Sequence, residues 1–159
     1  MIKVLFVCHG NICRSPMAEF MFKKFVKGKG LADKFLIESA ATSSEELGNP
    51  VYPPAQAILN ALNIDCSKKF ARRIVAGDCE KFDYLIGMDG ANIRNMQNFF
   101  GSAKTGKIYK LLDFVDGRKG QDVADPWYTG DFITTRRDIE DGIDGFYKYL
   151  IKSGALENS

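Results

Sequence analysis

The chain has 159 residues, 45% hydrophobic and 26% charged, with a formal net charge of +2, which bounds it to one ordinary globular domain, residues 1–159, with a sizeable core. So small a charge excess gives no reason to expect nucleic acid as a partner, and no apolar run approaches the roughly 18 residues of a membrane span. A single His and four cysteines without a CxxC pair, Cys8, Cys13, Cys66 and Cys79, argue against a zinc site, so no metal is expected.

Residues 2–8, IKVLFVC, are apolar almost throughout and rich in β-branched side chains, the pattern of a strand buried on both faces of a parallel sheet. A short polar loop follows, then Ser15-Pro16, read as the N-cap and first residue of a helix. Met17, Phe20, Met21 and Phe25 give that helix an apolar face, and Gly28 or Gly30 ends it. Phe35 to Ser39 is predicted as the second strand, 41–54 as a loop, and 54–62 as a helix entered by Pro. Lys81 to Asp89 contains the third strand, 90–99 a helix, and Lys107 to Leu112 the fourth strand. Residues 113–130 form a long loop of the kind that carries function. Asp131 to Ser153 is the final helix, with Ile139, Ile143, Phe146 and Leu150 along one face. Strand and helix alternate throughout, which predicts an α/β fold: a single domain with a four-stranded parallel sheet and helices on both faces, three layers in the flavodoxin-like manner.

In such folds ligands bind at the carboxyl ends of the strands. The loop Cys8-His9-Gly10-Asn11-Ile12-Cys13-Arg14-Ser15 lies there, at a helix N-terminus whose free amides and dipole favour an anion. With Arg14 six residues after Cys8, a tight loop can curl around one phosphate and close it with a bidentate guanidinium. The same donors favour a thiolate over a thiol, so the anion site also makes a nucleophile of Cys8. Ser15 is placed to hydrogen-bond the sulfur and ease its departure. Asn11 falls where the loop turns sharply, and Asn tolerates the left-handed region.

The pattern C-x5-R-S, within VLFVCHGNICRSPMAE, resembles the low-molecular-weight protein-tyrosine phosphatase family. The likeness extends through SAATS at 39–43, GNP at 48–50, FDYLIGMD at 82–89 and Asp125-Pro126-Trp127-Tyr128. The resemblance implies hydrolysis of phosphotyrosine or aryl phosphate monoesters through a phosphocysteine, without a cofactor. Cys8, Arg14 and Asp125 would be catalytic, with Asp125 the general acid. His9, Gly10, Asn11, Ile12, Cys13, Ser15, Trp127 and Tyr128 would form the substrate site, Ile12 as floor and the two aromatics as walls. The implied partners are a phosphotyrosine protein or small aryl phosphate, with phosphate as product or inhibitor.

The setting expected is cytoplasmic and reducing, for a monomer without a signal peptide. Cys13 lies close enough in sequence for a reversible disulfide with Cys8 on oxidation. Asp89, at the end of the third strand, reads either as a partner of Arg14 or as a helix N-cap, and His9 as a rim residue. Two departures stand out. In the family the Asn of the loop is held by a network that often includes a His, and this sequence has none there, leaving Ser39 or a backbone group to serve. Glu45 stands where an aromatic is usual. Alternatives are a phosphoarginine phosphatase of the same family and a thioredoxin-coupled arsenate reductase. The reductase needs two closely spaced downstream cysteines, whereas Cys66 and Cys79 are widely separated.

Overall fold

A computed structural model describes residues 1–101 and 106–157. Four strands, β1 (Ile2–Cys8), β2 (Phe35–Ala41), β3 (Tyr84–Gly87) and β4 (Ile108–Lys110), form a parallel sheet in the order β2-β1-β3-β4. Among the described residues six α-helices accompany them: α1 (Arg14–Gly28), α2 (Pro53–Ala61), α3 (Asp78–Lys81), α4 (Gly90–Phe100), α5 (Pro126–Thr129) and α6 (Phe132–Lys152). From β1 the chain crosses to β2 on one side, then returns past β1 to β3 on the other. That reversal leaves a crevice beyond the carboxyl ends of β1 and β3, where open α/β sheets take their ligands.

Alternation along β1 divides the core between the two faces of the sheet. Val4 and Phe6 pack with Phe22 of α1 and Phe146 of α6, whereas Leu5 and Val7 pack with Phe82 and Met96 on the other side. The Phe22 ring meets Phe6 edge-on at 5.9 Å and Phe146 at 5.5 Å. Truncating such a side chain to Ala costs about 3–5 kcal/mol. α6 also lies hard against the 3-10 turn Leu111–Phe114, because Gly142 and Gly145 carry no Cβ: one added at Gly145 would stand 2.5 Å from the Phe114 carbonyl oxygen.

Several boundaries differ from the sequence expectation. α1 begins at Arg14 with Cys13 as its N-cap, and Ser15 lies inside the first turn. The Ser15 hydroxyl serves the Cys8 sulfur instead of the helix amides. β4 is three residues long and passes directly into the 3-10 turn. The 113–130 stretch contains a short helix, α5, and α3 had no counterpart in the sequence reading. The last helix matches, capped by Asp131, whose carboxylate accepts from the Thr134 amide.

Candidate active site

β1 delivers Cys8 to the crevice with its sulfur buried, and the chain then wraps back over it. The Sγ lies 3.3 Å from the Asn11 amide nitrogen, 3.4 Å from that of Ser15 and 3.0 Å from Ser15 Oγ. Two backbone amides thus point at the sulfur, with the Ser15 hydroxyl beside them. The wrap requires Asn11 at φ 58°, the left-handed conformation its residue type tolerates.

The Asn11 side chain ties the loop to the sheet. Its Nδ2 donates to Ser15 Oγ at 2.8 Å and to Ser39 Oγ at 2.9 Å, and its Oδ1 accepts from the Arg72 amide at 3.2 Å. Ser39 in turn donates to Glu19 Oε1 at 2.5 Å. Glu19 is buried and paired with Lys23 at 2.6 Å and Lys69 at 3.5 Å, and Lys69 also donates to the Ser39 carbonyl at 2.9 Å. Burial pulls the Lys69 ammonium below its usual range, with Glu19 opposing the shift. The expectation that Ser39 or a backbone group would replace the missing His holds on both counts, and a lysine closes the network. Asn11 and Ser15 therefore stand behind the loop, buried, and do not line the cleft.

Arg14 is 3% exposed. Its guanidinium reaches Asp89 Oδ2 at 2.7 Å, the Val123 carbonyl at 3.3 Å and Asp125 Oδ2 at 3.3 Å. Burial works against its charge, but the Cys8 charge and the Asp89 carboxylate outweigh that and hold it above its ordinary value. Asp89 is both a partner of Arg14 and a helix N-cap. Its Oδ1 accepts from the Asn92 amide at 2.8 Å in a capping box of α4, while Oδ2 holds Arg14. Burial pushes the Asp89 carboxyl up, yet Arg14 and the helix amides bring it below the usual carboxylate value.

A cleft of about 390 Å³ opens over the loop, lined by Cys8, His9, Gly10, Ile12, Cys13 and Arg14, and by Asp125, Trp127 and Tyr128 from the far side. Trp127 and Tyr128 are 55% and 85% exposed, so they wall the entrance and are not core. Asp125 caps α5 through the Trp127 amide at 3.1 Å while its other oxygen faces Arg14. His9 is a rim residue, its Nε2 2.9 Å from Glu45 Oε2. Burial pushes the Cys13 thiol up to about 12, with the charges of Cys8 and Asp125 adding to the shift.

Three contributors lay outside the sequence reading. Glu46 lines the cleft beside Glu45. Tyr52 backs Trp127, ring centroids 5.0 Å apart, and its amide donates to the Ile12 carbonyl at 2.9 Å. Glu19 anchors the polar network. Glu46 and Tyr52 are distant in sequence from the loop they support, and Glu19, four residues beyond Ser15, meets it only through Ser39, which comes from β2. Among the described residues no cluster of His, Cys, Asp and Glu is suited to a metal ion, and no helix is long and apolar enough to cross a membrane.

The chain matches the family model described as low molecular weight phosphotyrosine protein phosphatase over residues 3–156. It is 41% identical over 156 residues to the low molecular weight protein-tyrosine-phosphatase YfkJ of Bacillus subtilis, covering 98% of this chain and 100% of that protein. The crystal structure of YfkJ superposes with a TM-score of 0.92 at 39% identity, over 96% of each chain. That of SP-PTP, a low molecular weight protein tyrosine phosphatase from Streptococcus pyogenes, does so at 0.85 and 40% identity over 99% of each.

Proposed function

We propose, because the chain belongs to the low molecular weight phosphotyrosine protein phosphatase family, that it hydrolyses phosphotyrosine in proteins, or small aryl phosphates, through a phosphocysteine on Cys8. The observation that carries this reading is the Cys8 sulfur held by two backbone amides and the Ser15 hydroxyl, with Arg14 and Asp125 joined across the same cleft.

In the first step the Cys8 thiolate attacks phosphorus. An S–P bond forms as the P–O bond to the phenolate breaks, and protonated Asp125 supplies the leaving oxygen with a proton. Arg14 and the loop amides stabilise the equatorial oxygens, where charge is spread in the transition state. In the second step Asp125, now a carboxylate, takes a proton from water, which attacks phosphorus. The S–P bond breaks, phosphate leaves, and the Ser15 hydroxyl receives the returning thiolate. Tyr52, fixed behind Trp127, keeps one wall of the entrance in place for a planar ring.

None of the four cysteines is in a disulfide, which fits action as a monomer in a reducing, cytoplasmic setting, with Cys13 able to form a disulfide with Cys8 on oxidation. The test is hydrolysis of aryl phosphate, phosphotyrosine, phosphoserine and phosphoarginine by wild type and Cys8→Ser in the presence of a chelator. Aryl phosphate and phosphotyrosine activity lost in Cys8→Ser is expected. Preference for phosphoarginine or phosphoserine would move the substrate class, and aryl activity surviving Cys8→Ser would overturn the mechanism.

A further inference from the structure

Asp138, on the first half of α6, is a buried carboxylate 7% exposed that takes no part in the chemistry above. Burying a carboxylate is costly unless it is paired and hydrogen-bonded, and here both oxygens are used. Oδ1 accepts from Arg118 at 2.8 Å, and Oδ2 accepts from the Ala124 amide at 3.2 Å. Arg118 is itself fixed by Asp141 at 2.9 Å and Gln121 at 2.9 Å. One turn earlier on the same face, the fully buried Thr135 donates its hydroxyl to the Ala124 carbonyl at 2.8 Å, with the Asp131 carbonyl farther away at 3.3 Å.

Both backbone polar groups of Ala124 are therefore held by side chains of one helix. Ala124 immediately precedes Asp125. The Val123 amide donates to the Met88 carbonyl at 2.9 Å, so the ties at Ala124 are the last before the carboxylate that faces the cleft. Asp125 comes from a stretch with no sheet to hold it, yet a proton donor displaced by an ångström loses much of its effect.

We propose that Thr135 and Asp138 are positioning residues for the general acid: by clamping both backbone groups of Ala124 to α6 they set the reach of Asp125 into the cleft. The inference rests on Asp125 being the proton donor. Loosening the clamp should then harm reactions in proportion to their need for a proton. Phenyl phosphate, with a basic leaving group, needs one, and p-nitrophenyl phosphate barely does.

The experiment measures kcat/KM for both substrates in wild type, Thr135→Val, Thr135→Ser, Asp138→Asn, Asp125→Ala and Asp125→Ala/Thr135→Val. The ratio of the two values is unaffected by the fraction of enzyme folded, so simple destabilisation does not imitate the effect. A general acid contributes about 10²–10⁴-fold, and loosening without removing it should cost on the order of tenfold on phenyl phosphate. The p-nitrophenyl phosphate value should change by less than about twofold, Thr135→Ser should restore the wild-type ratio, and Thr135→Val should add nothing to Asp125→Ala. Equal losses on both substrates, or an unchanged ratio, in Thr135→Val and Asp138→Asn while Asp125→Ala shows a leaving-group-dependent loss would overturn the clamp alone. An Asp125→Ala ratio equal to wild type would instead remove the general acid, and the clamp with it.

Discussion

Ser15 Oγ sits 3.0 Å from Cys8 Sγ and accepts from Asn11 Nδ2 at 2.8 Å. The Asn11 orientation is set by the Arg72 amide on its Oδ1, so its NH2 must face the two serines. With the amide donating to it, the Ser15 hydroxyl keeps its own hydrogen free for a thiolate at Cys8. A hydrogen bond to a charged group contributes about 1.5–3 kcal/mol, and in the proposed mechanism this one strengthens as the thiolate leaves phosphorus. Ser15→Ala should slow breakdown of the phosphoenzyme by on the order of 10–100-fold, with less effect on its formation. Stopped-flow assays with p-nitrophenyl phosphate should then show a burst of p-nitrophenol followed by slow turnover. Equal slowing of both phases would count against the role.

Ser39 holds Asn11 from the sheet side and passes its own hydrogen to Glu19. Ser39→Ala strands one buried Asn11 N–H and leaves Glu19 short of a donor, a loss of about 1–3 kcal/mol. For a chain of this size that lowers Tm by roughly 2–12 °C. Thermal unfolding of the variant measures it, and an unchanged Tm would show that the network does not brace the loop.

Cys13 and Cys8 share the cleft, but they should differ in reactivity. A thiol pushed up to about 12 stays neutral at every pH below that value, since deprotonation becomes appreciable only as pH approaches it. Iodoacetate at neutral pH should therefore modify Cys8, with phosphate protecting it, and leave Cys13 unmodified. Peptide mapping by mass spectrometry reads the outcome. First modification at Cys13 would contradict the assignment.

The rim is acidic on one side. Glu45 is exposed and paired with His9, and Glu46 adds a second carboxylate to the cleft lining. Peptides with Asp or Glu beside phosphotyrosine should suffer from this, by a few-fold at low salt and less at high salt. Glu45→Gln should raise kcat/KM for acidic phosphopeptides relative to neutral ones. A uniform change across both would assign Glu45 no part in selection.

Much of this arrangement could be read from local patterns. The unbroken apolar run Val4–Val7 marks a central parallel strand, since both its faces must be covered. Asn11 was legible because few residue types accept a positive φ, and Cys8 with Arg14 because a tight anion loop needs them at that spacing. Ser15 is not the cap for a definite reason: its hydroxyl can accept from the helix amides or meet the sulfur, and tertiary proximity sets it against the sulfur. β4 gives way early to the 3-10 turn Leu111–Phe114, where Leu111 meets Gly142 and Phe114 meets Gly145 of α6. Tyr52 behind Trp127, Lys69 on Glu19, and Thr135 with Asp138 on Ala124 link residues far apart in the chain, and no periodicity or motif announces such pairings.

The central claim is that Cys8 carries phosphate between the two steps. Acid-quenched wild type, mixed with a phosphotyrosine peptide and digested, should carry phosphate on the peptide containing Cys8, and Cys8→Ser should neither carry it nor turn over. Phosphate on another residue, or turnover by Cys8→Ser, would contradict the account.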